Sequence, residues 1–188
     1  ALADFASVAP NRLLSAYHLP LFDIDFSLKE VDRLAAMGAR AVQIPSFPSD
    51  LGLAEVHDKR YTPLWSKLEE MGIVVLNHLE IREQFWKVFR SDPTPQKGIF
   101  TAMPIMQMHE TIMFWILTGT LERHSKLKVI LVEPFLGWIP QFLAWLDLRM
   151  EEHYEFPGLK MKPSEYFQRN MGATFMYEPE GLRNMYNT

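Results

Sequence analysis

The stretch KLKVILVEPFLGW, Lys126 to Trp138, decides how the rest of the chain is read. Val129, Ile130, Leu131 and Val132 form a short apolar run, mostly β-branched, with the composition of a buried strand. The run ends on an acid, Glu133, and Pro134, Phe135, Gly137 and Trp138 follow. A buried carboxylate costs several kcal/mol unless it is paired, protonated or metal-bound. Glu133 therefore either stands at a solvated rim or has a partner. In a structural role that partner is an arginine, or a backbone N–H at the start of the next helix.

Outward from this stretch, short apolar runs alternate with amphipathic segments, the pattern of βα units. RLLSAYHLPL (12–21) reads as a strand, and SLKEVDRLAAMGA as a helix capped by Ser27 with Glu30 three residues on, stopping at Gly38. AVQIPSFP is a second strand. YTPLWSKLEEMG is a helix capped by Thr62, with Pro63 in its first turn and Gly72 at its end. IVVLNHLE (73–80) is a third strand. A Pro-, Ser- and Thr-rich loop spans 90–104, long for a compact domain and so a candidate cover for a site. A helix follows with Met108, Ile112, Trp115 and Ile116 on its apolar face, then the LKVILVE strand. A helix over 137–156 presents Phe142, Trp145 and Leu146, and a short helix is capped by Ser164. GATFMY is a fifth strand candidate.

Five strands with helices between them imply an α/β protein of parallel strands, either a doubly wound sheet or a barrel. No GxGxxG or GxxxxGK[ST] stands at a strand–helix junction, which removes the main support for nucleotide binding. The junctions instead carry His18, Gln43, Asn77, His78 and Glu133 at strand C-terminal ends, where a βα barrel gathers its catalytic side chains.

Bulk composition narrows the classes. With 188 residues, 48% of them hydrophobic, the chain can build one core. A net charge of −4 gives no electrostatic footprint for nucleic acid, and no 18-residue apolar run suggests a membrane span. The first ten residues lack the order of a signal peptide, and the chain lacks an initiating Met, so it is processed or begins inside a longer protein. The absence of cysteine rules out thiolate chemistry and fits a reducing compartment; the expected location is the cytoplasm. A metal must be held by His, Asp or Glu.

His78 closes VVLNH, where a neutral imidazole can ligate zinc or move protons, or serve as a hydrogen-bonded structural group. No HxH, HExxH or HxxxH occurs to reinforce it. His18 and Gln43 could line the same mouth. His57, His109, His124 and His153 read as surface or satisfied side chains, and Asp23 and Asp25 as capping or loop groups.

The run LTGTLERHSKLKVILVEPFLGWIPQFLAWLD resembles the amidohydrolase-related family of metal-dependent TIM barrels, which holds hydrolases and non-oxidative decarboxylases. MGARAVQIPSFP, YTPLWSKLEEMGIVVLNH and KPSEYFQRNMGATFM are similar to further stretches of that family. The resemblance extends from about Val8 to Met185 and implies a partial (β/α)8 barrel holding strands three to seven of eight. It implies that His78 is the strand-five metal ligand and that Glu133, at the end of strand six, takes the place of a histidine used by the decarboxylases as proton donor or base. The family's HxH on strand one and aspartate on strand eight would lie before Ala1 and after Thr188.

The resemblance implies a single, incomplete barrel domain over 1–188 and a metal-dependent hydrolase of C–N or C–O bonds in a small substrate. Non-oxidative decarboxylation of a small aromatic or enoic carboxylate is the alternative, and a non-catalytic, self-associating barrel fragment is a third reading. The expected cofactor is a divalent metal, zinc. Glu133 is the expected catalytic group, His78 the metal ligand, and His18, Gln43 and Asn77 the substrate-binding residues. The expected partner is a small-molecule substrate, without nucleic acid or membrane, in a homo-oligomer.

Overall fold

The computed structural model describes residues 2–85, 96–152, 156 and 158–186. After a short helix α1 (Leu2–Ser7), the described elements run β1 (Ala16–His18), α2 (Ile24–Ala36), β2 (Ala41–Ile44), α3 (Thr62–Met71), β3 (Val74–His78), α4 (Gln96–Ile116), α5 (Thr120–Arg123), β4 (Val129–Val132), α6 (Ile139–Glu151), α7 (Pro163–Asn170), β5 (Met171–Ala173) and α8 (Pro179–Tyr186). The five strands form one sheet in the order β1-β2-β3-β4-β5, every neighbouring pair parallel.

That order separates the two α/β alternatives. A doubly wound sheet reverses its strand order at a switch point. Here each new strand adds to the same edge, so right-handed crossovers place the helices on one face, as in a barrel wall. Burial agrees. Val42, Ile44, Val75, Asn77, Val129 and Leu131 point to the helix layer and are buried. Their neighbours Gln43, Leu76 and Ile130, in register across three strands, lie on the opposite face and are half-buried. The core under the helices joins Val31 and Leu34 of α2, Leu64, Trp65 and Leu68 of α3, and Ile112, Trp115 and Ile116 of α4. Trp65 and Trp115 meet edge to face at 5.3 Å, and Trp65 Nε1 donates to the Val56 carbonyl.

Several element ends differ from the sequence reading. Asp23 caps α2, accepting from the Phe26 N–H at 2.9 Å, while Ser27 is buried inside the helix and donates its hydroxyl to the Pro20 and Asp23 carbonyls. Asp23 wins because it holds the extended backbone a cap needs. Thr62 makes no capping bond; a 3-10 turn over Lys59–Tyr61, begun by Asp58, feeds straight into α3. Residues 96–104 of the expected loop are helix, with Pro104 inside α4, and 90–95 lie outside the described residues, as does His153. The helix after them stops at Ile116, and Gly119, at φ 73°, starts α5 separately. On α6 the buried stripe is Ile139, Leu143 and Leu146, whereas Trp145 is 49% exposed. Ser164 is tied sideways to Asp147 rather than capping α7. The first and last strands are three residues each, shorter than their apolar runs.

Candidate active site

The C-terminal ends of β1, β2, β3 and β4 open on one side of the sheet. The period-2 pleat sends alternate residues to opposite faces. His18 pairs with Gln43, Gln43 with Leu76, and His78 with Val132 in register, so His18, Gln43 and His78 share the face away from the helices. They line a cavity of about 300 Å³ with Pro45, Leu51 and Glu80. Asn77, one residue out of phase, points the other way. It is fully buried, accepts a hydrogen bond from Trp115 Nε1 at 2.8 Å and faces the Pro45 carbonyl. Its amide is engaged in the core and is not brought to the cavity.

Glu133 follows β4 immediately. Its carboxylate reaches His78, with Oε2 lying 3.1 Å from Nε2, and both side chains are less than half exposed. The backbone delivers it by an unusual route: Glu133 has φ 63°, in the left-handed region, as has Phe135. Thr174, just past β5, accepts the Glu133 N–H on its hydroxyl at 2.9 Å and donates its own N–H to Leu131. Glu178 accepts from the Leu136 and Gly137 N–H groups, and Trp138 Nε1 from within the turn donates to Pro134. These contacts hold a non-glycine residue in a conformation it disfavours, a pattern found where the position of a side chain matters to function.

The orientation of His78 follows from its other nitrogen. Nδ1 lies 2.8 Å from the Leu79 carbonyl, which can only accept, so Nδ1 carries a proton. Metal-ligating histidines are held in this way, with the second nitrogen facing the metal. An imidazole nitrogen beside a carboxylate oxygen is a donor set that fits a divalent cation. Among the described residues no third His, Asp or Glu joins them to complete a cluster. Glu80 is half-buried beside this pair, and burial raises its carboxyl above the usual carboxylate range, opposed by N–H groups from Ser46 and Phe47. Its place at the mouth was not drawn from the sequence; the signal available was its position two residues beyond His78.

A larger cavity of about 720 Å³ lies alongside, lined by Ser49, Asp50, Arg82, Gln107 and Glu110 among others. Arg82 is spent on acids there. It bonds Asp50 and Glu110, which outweigh the cost of its burial and keep its pKa above the ordinary arginine value. None of the remaining described histidines lines the His78 cavity: His57 stacks on Phe114, His109 on Trp138 at 3.8 Å, and His124 is buried 3.5 Å from Glu69.

A singly wound parallel sheet with an imidazole and a carboxylate meeting at its C-terminal rim forms the wall of a (β/α)-barrel, with these two groups at the end where such barrels gather catalytic side chains. The chain belongs to the amidohydrolase family, which it matches over residues 1–183. No curated protein matches it. Among solved structures, the 5-carboxyvanillate decarboxylase of Sphingomonas paucimobilis superposes with a TM-score of 0.79 at 24% identity, over 99% of this chain and 56% of that one. The dihydroxybenzoic acid decarboxylase of Polaromonas sp. JS666, with bound manganese and 2-nitroresorcinol, gives 0.74 at 17% identity, over 97% and 57%. An amidohydrolase of Mycobacterium avium subsp. paratuberculosis K-10 gives 0.70 at 22%, over 90% and 44%. The fold is thus that of TIM-barrel amidohydrolases, and the chain spans about half the length of the structures it matches. No helix among the described residues is long and apolar enough to cross a membrane.

Proposed function

We propose that this chain carries the central part of the active site of a metal-dependent enzyme that hydrolyses a C–N or C–O bond in a small organic substrate. The approach of Glu133 Oε2 to His78 Nε2 at 3.1 Å carries the reading. With Nδ1 committed to Leu79, Nε2 meets a carboxylate lone pair to lone pair unless a proton or a cation lies between them. His78 would hold a divalent ion, zinc or manganese, through Nε2, together with donors beyond this pair. The bound ion supplies Lewis acidity and lowers the pKa of water. Glu133 would take a proton from the attacking water at Oε1, the oxygen not turned to Nε2, and return it to the leaving group. His18 and Gln43 orient the polar end of the substrate, and Asn77 holds β3 through Trp115.

Decarboxylation of a small aromatic or enoic carboxylate is the second reading, supported by the likeness of the sheet to the Sphingomonas and Polaromonas decarboxylases. Glu133 then protonates the carbon that loses carbon dioxide. Metal content of the full chain, wild type against His78→Ala, tests the shared premise: bound metal is expected to fall to a small fraction, and equal occupancy ends the proposal. Glu133→Gln is expected to keep its metal and lose roughly 100-fold or more in turnover. Release of carbon dioxide from a panel of hydroxybenzoates, against hydrolysis of small amides and lactones, separates the two readings.

A further inference from the structure

The exits of β2 and β3 are fastened together, and His78 lies inside the fastening. In the register of this pair Val74 donates to the Arg40 carbonyl, and the parallel ladder continued regularly would bring the Ser46 N–H to the His78 carbonyl. The structure departs from this. The Ser46 hydroxyl, on a side chain from a residue only 3% exposed, takes over the His78 carbonyl at 2.7 Å. The Ser46 N–H is released to Glu80 Oε2 at 2.9 Å, and the Phe47 N–H donates to the same carboxylate. The Leu79 carbonyl, which fixes the His78 ring, lies between these two anchored points. Farther out, Arg82 bonds Asp50 at 3.0 Å and lies over the Phe47 ring, so the outer end of the segment is tied to the same loop.

We infer that Ser46 and Glu80 are positioning residues for His78: together they set the peptide planes on either side of Leu79 and thereby aim Nε2 at Glu133. A regular ladder would leave the carbonyl of Leu79 free to rotate with the loop after β3. The exchange of one backbone donor for a hydroxyl, with a carboxylate collecting the released N–H groups, fixes three consecutive residues instead of one. The groups are half-buried or buried, where hydrogen bonds to a charged acceptor are worth more than at the surface. The inference rests on the reading of His78 as a metal ligand.

Manganese binding by the full chain, followed by calorimetry at a temperature where circular dichroism shows each variant folded, tests it. Loss of a hydrogen bond that orients a ligand costs roughly 10- to 100-fold in metal affinity, so Ser46→Ala and Glu80→Ala are expected to raise the Kd by that factor. Glu80→Gln, which keeps the shape and one acceptor, is expected to lose less, and Ser46→Thr, which keeps the hydroxyl, to stay near wild type. Nitrogen NMR of the metal-free chain reads the ring directly: Nδ1-protonated His78 in wild type, a mixture of tautomers in Ser46→Ala. A purely structural role would lower the melting temperature of these variants with the Kd and tautomer unchanged, and that result overturns the inference. The His78→Ala arm keeps the two ideas apart. If it abolishes binding while Ser46 and Glu80 variants bind normally, the positioning role alone fails; if it binds as wild type, the ligand reading fails and the inference with it.

Discussion

Glu133 adopts a φ of 63°, a conformation that costs a non-glycine residue about 1–2 kcal/mol, beside a histidine whose tautomer is locked. Glu133→Gly should therefore leave stability unchanged or raise it by up to about 1 kcal/mol, because the relieved strain offsets the added freedom of the unfolded chain. Chemical denaturation measures this, and a loss beyond about 1 kcal/mol would contradict the strain account. At the same scale, burial holds the His124 imidazole below the ordinary histidine range, against the pull of the Glu69 carboxylate. The folded state then binds fewer protons than the unfolded chain. This part of the stability is complete above about pH 6.5 and falls as pH drops from there through the lowered folded value. Burial lowers His109 as well, with the same sign. Replacing His124 by Gln should flatten the dependence of melting temperature on pH below about 6.5, whatever it does to the absolute value; an unaltered slope excludes His124 as a contributor. The strand-end positions of His78 and Glu133 were legible from apolar runs ending in polar groups. Their contact was not, because it depends on a left-handed turn that no residue in VEPFLGW announces.

Among the elements, helix starts show where local rules compete. Ser27, Thr62 and Ser164 each match a capping pattern, and none caps. Asp23 lies four residues ahead of Ser27 in an extended conformation, and a 3-10 turn absorbs the start of α3. Ser164 is drawn to Asp147 by two hydrogen bonds, at 2.9 Å from its N–H and 2.6 Å from its hydroxyl, which bind α7 to α6. Asp147→Ala should cost roughly 1–2 kcal/mol, since it leaves an amide at a helix start without its charged acceptor. Thermal unfolding of the full chain checks this, and a shift within error would mean that water replaces Asp147 without loss. The apolar stripe of α6 shows the same limit. Phe142 and Trp145 have core composition, but the buried stripe is Ile139, Leu143 and Leu146; Phe142 packs only partly against the core, beside His109, and Trp145 stacks on it from the exposed side. Helical spacing offers more than one plausible stripe, and only packing chooses between them.

Across the whole molecule, five parallel strands in sequential order leave β1 and β5 at the two edges of the described sheet and one face only half covered. Exposed edges template pairing with other chains. The 188-residue polypeptide by itself is therefore expected to associate, and light scattering that reports a monomer at tens of micromolar would contradict this. Alternation of apolar and amphipathic runs, the turn residues between them and the polar groups that end the strands together determined the α/β class, the five strands and most of the candidate mouth; these are consequences of local periodicity and of the energetic cost of burying polar groups. Strand order, which excludes the doubly wound alternative, was decided by tertiary structure, because parallel pairing joins residues far apart in the chain. So were the burial of Asn77 under Trp115, the meeting of Glu133 with His78, and the fastening of His78 through Ser46 and Glu80. Each depends on a one-residue choice of pleat phase or turn that only the packed sheet imposes.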